Sequence, residues 1–385
     1  MKVALVHDYI RELGGAERVL RVLCDMYPEA PIHVAFADRN SSAYQKFKDR
    51  TIVESPLGKI LKIGKLYSPL RFLTPWVWGS FDLSKYDLVI TSASWYITKG
   101  FRIGKNTKVI CYCHTPPRNL YGYQTSIKWG GVEWRKFPPA IIYAAVVNHF
   151  LRVFDFRTAQ LPNREDRIIR AGVDEFVANS RNVAQRIRKF YRRESAVIYP
   201  PVKVEEIIKK TRTCNKEGYY LIVCRLADGK GLEEAAIAAK ELGVSLKIAG
   251  KGYGFSDIEE RLKRLSGDRV ELLGEVSDDK VWELYAKAKG FIALAKNEDF
   301  GMTVVEAMAA GTGVVALNSG GFKESLVDGV TAAMIGGTSV KKIEVGIRRL
   351  EKINPKREEL ITQARKFSKE RFIEQMKKIV TETMK

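Results

Sequence analysis

At 385 residues, 45% hydrophobic and 29% charged, the chain exceeds what one core comfortably fills and predicts two domains of ordinary size. The 65 Lys and Arg against 45 Asp and Glu give a net charge of +20, which predicts attraction to polyanions without choosing among nucleic acid, acidic headgroups and phosphorylated small molecules. Five cysteines, odd in number and without CxxC spacing, argue against a disulfide framework and a structural zinc site, and read as ordinary buried thiols.

The opening MKVALVHDYIREL meets charges within a few residues and offers no small-residue cleavage site, which predicts a cytoplasmic protein. Residues 2–6 form a short apolar run ending in His7 and Asp8, followed by a Gly14-Gly15 turn and the helical pattern AERVLRVLCDMY. Further apolar runs at 32–36, 88–91, 109–112 and 176–178 alternate with helical or irregular stretches, as the βα units of a parallel sheet do. The apolar run at 140–147 falls short of the roughly 20 residues a spanning helix needs, so it can lie in a membrane surface but not cross it.

Tyr199-Pro200-Pro201-Val202 interrupts the series, since paired prolines continue neither a helix nor a central strand, and marks a domain boundary. A second series follows at 219–224, 245–249, 269–273, 290–294 and 313–317, each run leading into helix-like sequence. The expectation is an α/β chain with a Rossmann-like domain over 1–200, a second over 201–365, and a last helix over 366–385 that packs back on the first.

The residues with most chemical content are Glu298-Asp299-Phe300-Gly301-Met302-Thr303-Val304-Val305-Glu306, where a strand runs through a short loop and a glycine into a helix. Backbone N–H groups from Gly301 to Thr303 at a positive helix end can hold a diphosphate, and Glu306 on the first turns can accept from ribose hydroxyls. Taken alone, the carboxylates could equally serve as helix caps and dipole partners. A second cluster weakens that bland reading: Arg225 ends a strand and Lys230 follows it before Gly231 and a helix. A guanidinium fork and a compact ammonium suit the charge that grows on a departing nucleoside diphosphate.

With Arg225, Lys230, Glu298, Phe300-Gly301 and Glu306 in this order, the sequence resembles the retaining glycosyltransferases of family 4. Gly14-Gly15-Ala16-Glu17, Tyr112 to Pro117, Val177 to Ser180 and Ile198 to Val202 resemble further blocks of that family, so the likeness spans nearly the whole chain. The resemblance implies a GT-B fold, two Rossmann-like domains facing each other across a cleft. It implies that Gly14 and Gly15 line the donor phosphates, that His114 sits near the donor sugar, and that Arg225 and Lys230 bind the diphosphate. Glu298 would contact sugar hydroxyls, Phe300, Gly301, Met302 and Thr303 would present backbone amides, Glu306 would hold the ribose, and the base would rest near Gly274 to Val276. Within the family the His-Thr-Pro-Pro block and the Glu-Asp-Phe-Gly form resemble bacterial and archaeal mannosyltransferases of glycan assembly. Gly313, where the family usually has proline, and Lys251 to Gly254, in place of an Asp-Gly-Pro turn, depart from the pattern.

The implied reaction moves a hexose, mannose from GDP-mannose first, onto a hydroxyl of a lipid-linked or cell-surface glycan, with retention. UDP-sugar-dependent transfer, a nucleotide-sugar epimerase and a basic nucleic-acid-binding protein are the alternatives. No cofactor beyond the donor and no metal is expected: no Asp-x-Asp triplet occurs, and Asp278-Asp279 opens a helix after Ser277. Gly250, Gly252 and Gly254 lack the third glycine of a dinucleotide fingerprint at its proper place. The basic, aromatic stretches 55–81 and 128–147 suit an anionic bilayer surface, which predicts a peripheral position at the cytoplasmic face and no nucleic-acid partner.

Overall fold

A computed structural model describes residues 1–63, 67–123, 138–165, 169–252 and 257–385. The chain forms two compact units; the second holds Val202–Arg371, and the first combines the described residues of 1–125 with Pro138–Pro201 and Phe372–Lys385.

The strands of the first unit are β1 (Val3–His7), β2 (Ile32–Val34), β3 (Ile52–Glu54), β4 (Leu88–Ala93), β5 (Arg102–Ile103), β6 (Lys108–Cys113), β7 (Ile169–Arg170), β8 (Glu175–Ala178) and β9 (Ala196–Val197). Seven of them make one parallel sheet in the order β3-β2-β1-β4-β6-β8-β9, while β5 and β7 pair antiparallel beside it. The second unit carries β10 (Tyr219–Val223), β11 (Ser245–Ala249), β12 (Val270–Gly274), β13 (Gly290–Ala293), β14 (Val314–Leu317) and β15 (Ala332–Ile335). They form a parallel sheet ordered β12-β11-β10-β13-β14-β15.

Every residue of β1 and of β4 is buried, and so is every residue of β13 and β14. Helices on both faces of a parallel sheet cause this, and it is why these strands read as unbroken apolar runs rather than as alternations. Both sheets are Rossmann-like, and each reverses its strand order once, between β1 and β4 and between β10 and β13. The carboxyl ends of the strands flanking such a reversal open into a crevice, because their following loops leave to opposite sides.

The final helix, Lys369–Thr383, places Phe372, Met376 and Val380 in the core of the first unit beside Leu5, Ile110 and Tyr112. The Phe372 and Tyr112 rings meet edge to face at 5.6 Å.

Two expectations change. The 140–147 run is one part of a 21-residue helix, Pro138–Thr158, long and apolar enough to cross a membrane, with only 17% of its most apolar window buried. Counting uninterrupted apolar residues stopped at Asn148 and His149, whereas the helix continues through them to Leu151, Val153 and Phe154. The five cysteines also divide: Cys24, Cys111 and Cys113 are buried, Cys214 and Cys224 only half-buried. Residues 64–66 and 128–137 of the basic, aromatic stretches, and Tyr253 and Gly254, lie outside the described residues.

Candidate active site

In the second unit β10 ends at Val223 and the chain runs through Cys224 and Arg225 to Lys230, then into the helix Leu232–Leu242. Its neighbour β13 ends at Ala293 and runs through Glu298 and Gly301 into the helix Met302–Ala309. Since Tyr220 and Leu221 pair with Gly290 and Phe291, both loops emerge at the same edge of the sheet. The Lys296 amide donates to the Gly229 carbonyl at 3.1 Å, and Lys230 Nζ donates to Glu298 Oε2 at 3.0 Å. The two side chains keep 30% and 25% of their surface, so the pair remains reachable.

Gly301 caps the helix Met302–Ala309 with φ +90°, and a Cβ there would stand 2.5 Å from the Phe322 ring. Only a glycine makes this turn without strain. The first N–H groups of such a helix have no intrahelical acceptor, and its end is positive. Met302 and Thr303 are half-buried at that end, while Val304 through Ala309 are buried. Phe300 is buried against the Phe367 ring at 5.3 Å, which anchors the loop.

Arg225 is exposed at the end of β10. Burial pushes the neighbouring Cys224 thiol up to about 11; the fields of Lys230 and Arg225 pull it down and that of Glu298 pushes it up, so all three charges reach one point. Glu306 is only 4% exposed, and the Tyr285 hydroxyl donates to its Oε2 at 3.3 Å. Gly274 is exposed and Val276 half-buried just beyond β12, where the Gly274 carbonyl accepts from the Gly250 amide at 2.8 Å.

Gly321 falls in none of the motifs read from the sequence. Its amide donates to the Glu298 carbonyl at 2.9 Å, and a Cβ on it would lie 2.4 Å from both the Asp299 carbonyl oxygen and the Phe300 Cα. The paired glycines after β14 were the available signal, since backbone approaches backbone only where a side chain is missing.

The first unit holds a second cluster at its own reversal point. His7 ends β1, Ser92 lies in β4 and His114 follows β6. His7 Nδ1 lies 3.1 Å from both the carbonyl and the hydroxyl oxygen of Ser92, and its Nε2 lies 3.4 Å from Glu17 Oε1. The Ser92 hydroxyl is 2.8 Å from His114 Nε2. Glu17 also accepts from the Gly14 amide at 2.8 Å, so Gly14 and Gly15 open the helix Gly15–Met26 with its first turn tied to His7. Burial opposes charge on His7, but the Glu17 hydrogen bond and the Glu17 and Asp8 charges outweigh it and raise its pKa. Burial likewise opposes charge on Glu17, yet the bond and charge of His7 hold it below the usual carboxylate range. His114 is driven down to about 3 by burial and by the His7 charge. Among the described residues no three of His, Cys, Asp and Glu gather as metal ligands do.

The model of glycosyltransferase family 4 matches residues 13–206, half of the chain, and that of glycosyl transferases group 1 matches residues 203–367. The chain belongs to glycosyltransferase family 4. A lipopolysaccharide core biosynthesis mannosyltransferase of Rhizobium leguminosarum bv. viciae is 31% identical to this family 4 chain over 156 residues, 37% of the chain and 43% of the relative. An uncharacterized glycosyltransferase of Methanocaldococcus jannaschii is 26% identical over 51% of the chain and 55% of its own length. The chain thus spans about half the length of these curated relatives. Among solved structures, HepE of Anabaena in complex with UDP-glucose is 17% identical and superposes over 99% of this chain and 100% of its own with a TM-score of 0.65. A sucrose-phosphate synthase of Thermosynechococcus elongatus, 14% identical, does so over 99% of both chains with a TM-score of 0.67. These likenesses identify the fold of the family 4 chain as GT-B.

Proposed function

We propose that this family 4 chain transfers a hexose, mannose from GDP-mannose first, to a hydroxyl of a lipid-linked or cell-surface glycan, retaining the anomeric configuration and using no metal. The observation that carries the reading is the Lys230–Glu298 pair at 3.0 Å, set at the strand-order reversal beside the open end of the helix Met302–Ala309. Mannose is favoured by the mannosyltransferase names among the relatives, which include a GDP-Man:Man(3)GlcNAc(2)-PP-Dol alpha-1,2-mannosyltransferase of Caenorhabditis elegans, 28% identical over 40% of this chain and 37% of its own length.

In this scheme Arg225, Lys230 and the helix amides stabilise the diphosphate as the bond from the sugar's anomeric carbon to the phosphate oxygen breaks. The acceptor oxygen bonds to that carbon from the same face, and its proton passes to the departing phosphate oxygen. Glu298 orients the sugar hydroxyls, Glu306 serves the ribose, and His114 of the first unit serves the same reaction. A peripheral position at an anionic bilayer is supported by Trp76 and Phe150, exposed at 57% and 44% with their rings stacked at 6.2 Å, and by the exposed Arg152 and Arg157 on the same helix.

A thermal-shift screen against GDP-mannose, UDP-glucose, UDP-N-acetylglucosamine and the free nucleotides tests the donor. Stabilisation by GDP-mannose, lost in Glu306→Ala, is the expected result; no shift with any donor would overturn the donor site. Stabilisation by a UDP-sugar instead would replace mannose by that sugar, and a changed donor after incubation without acceptor would indicate an epimerase.

A further inference from the structure

The hydrogen bonds around Ser92 leave one consistent assignment of protons. A carbonyl oxygen can only accept, so His7 Nδ1, 3.1 Å from the Ser92 carbonyl, carries hydrogen. The same N–H reaches the Ser92 hydroxyl oxygen at 3.1 Å, which therefore accepts there and directs its own hydrogen elsewhere. His7 Nε2 faces a carboxylate oxygen of Glu17, also an acceptor, so both nitrogens of His7 are protonated. The remaining neighbour of the Ser92 hydroxyl is His114 Nε2 at 2.8 Å, which must accept. We propose that Ser92, backed by the His7–Glu17 ion pair, fixes His114 as its neutral Nδ1–H tautomer and is a positioning residue for the transfer reaction.

The surroundings agree. The His114 backbone is held on both sides, its amide donating to the Ala93 carbonyl at 2.8 Å and its carbonyl accepting from Asn179 Nδ2 at 2.9 Å. The Tyr112 ring stands edge-on to the imidazole at 5.2 Å. Among the described residues, Nδ1 of His114 bonds to no side chain or carbonyl, and it is not one of the sealed polar atoms that lack a partner. It is an unspent donor with a fixed hydrogen, the state in which an imidazole can hold a hydroxyl oxygen without taking a proton from it. The charges facing His7 are Glu17 and Asp8, both carboxylates, and a charged His7 within the same cluster discourages a second proton on His114. Sequence spacing could not show this, because β1, β4 and β6 become neighbours only in the sheet.

The role in transfer rests on the proposed function, whereas the tautomer does not, and the test separates them. The chain has four histidines, so two-bond 1H–15N spectra of the full-length protein, assigned with His33→Gln and His149→Gln, resolve each ring. The expected result is a His114 ring protonated at Nδ1 and bare at Nε2, unchanged from pH 8 down to the acid limit of folding. Ser92→Ala is expected to populate the other tautomer and to lower kcat roughly tenfold with donor KM unchanged, and Ser92→Thr, which keeps the hydroxyl, to restore both. A His114 ring protonated at Nε2 in the unsubstituted protein would overturn the assignment whatever the activity. Equal kcat in Ser92→Ala and the parent, with the tautomer as assigned, would overturn the positioning role. If the protein shows no transfer at all, the proposed function fails while the spectra still decide the tautomer.

Discussion

Lys230 and Glu298 lie 68 positions apart in the chain and 3.0 Å apart in space, joined because β10 and β13 are neighbours across the strand-order reversal. Replacing Lys230 by Ala removes a cation from the departing diphosphate and is expected to lower kcat about a hundredfold. The pair is partly solvated, so stability should change by no more than about 1 kcal/mol. Steady-state kinetics and a thermal melt of the same preparation check both halves. Glu298→Ala should chiefly lower turnover; a glycosyl adduct trapped on Glu298 would contradict its orienting role.

Gly301→Ala forces a side chain into φ +90° and against the Phe322 ring at 2.5 Å. The expected cost is roughly 1–3 kcal/mol by urea denaturation. Gly321→Ala should cost more, since its neighbours at 2.4 Å are backbone atoms of the Asp299–Phe300 loop that cannot rotate away. A Gly321→Ala protein as stable as the parent would show that the loop yields easily.

Stability should fall on acidification partly through His114. Its folded pKa of about 3 lies below the ordinary 6.5, so the unfolded chain binds more protons between these values and stability rises with pH across that window. The slope for such a group is roughly 1.4 kcal/mol per pH unit. His7 has the opposite sign: its raised pKa stabilises fully below 6.5 and ceases to do so as pH climbs through the folded value. Urea midpoints from pH 4 to 8 for the parent and His114→Gln isolate the first effect, and parallel profiles would refute it.

Phe372 and Met376 are almost fully buried in the first unit although they follow the whole second unit in sequence. Phe372→Ala is expected to cost about 3–5 kcal/mol. Because Phe372 touches Tyr112, the signal should be found in hydrogen exchange of β6 rather than of β10 or β13.

Sedimentation with phosphatidylglycerol–phosphatidylcholine vesicles tests the bilayer contact. Trp76→Ser with Phe150→Ser should weaken binding several-fold and leave the melting temperature alone, because both rings are exposed. Binding that survives the double substitution would assign membrane attachment elsewhere or to charge alone.

The parts legible in the sequence were those carried by local pattern. The strand at 245–249 is read residue for residue because Leu246, Ile248 and Ala249 are buried and the one charge in the run, Lys247, lies with its ammonium over the Tyr219 ring. Arg225, Lys230 and Glu298 were legible because each follows a strand end closely. Ser92 was invisible: within ITSAS it looks like any small strand residue, and only the adjacency of β1, β4 and β6 gives its hydroxyl two imidazoles. The burial of Glu306, with the Tyr285 hydroxyl on its Oε2, was not legible either, since it comes from the packing of its helical turn against the helix Asp278–Lys287.

The discontinuous first unit has a consequence for how the protein is made. On the ribosome, residues 1–201 emerge with their core lacking Phe372, Met376 and Val380, and they must wait for the whole of Val202–Arg371 to be synthesised before those side chains arrive. The second unit, made without interruption, can complete itself first. The nascent first unit therefore exposes an apolar seam through most of translation, a natural station for a chaperone, and a stop codon introduced just before residue 372 would spoil the half of the molecule that was made earliest.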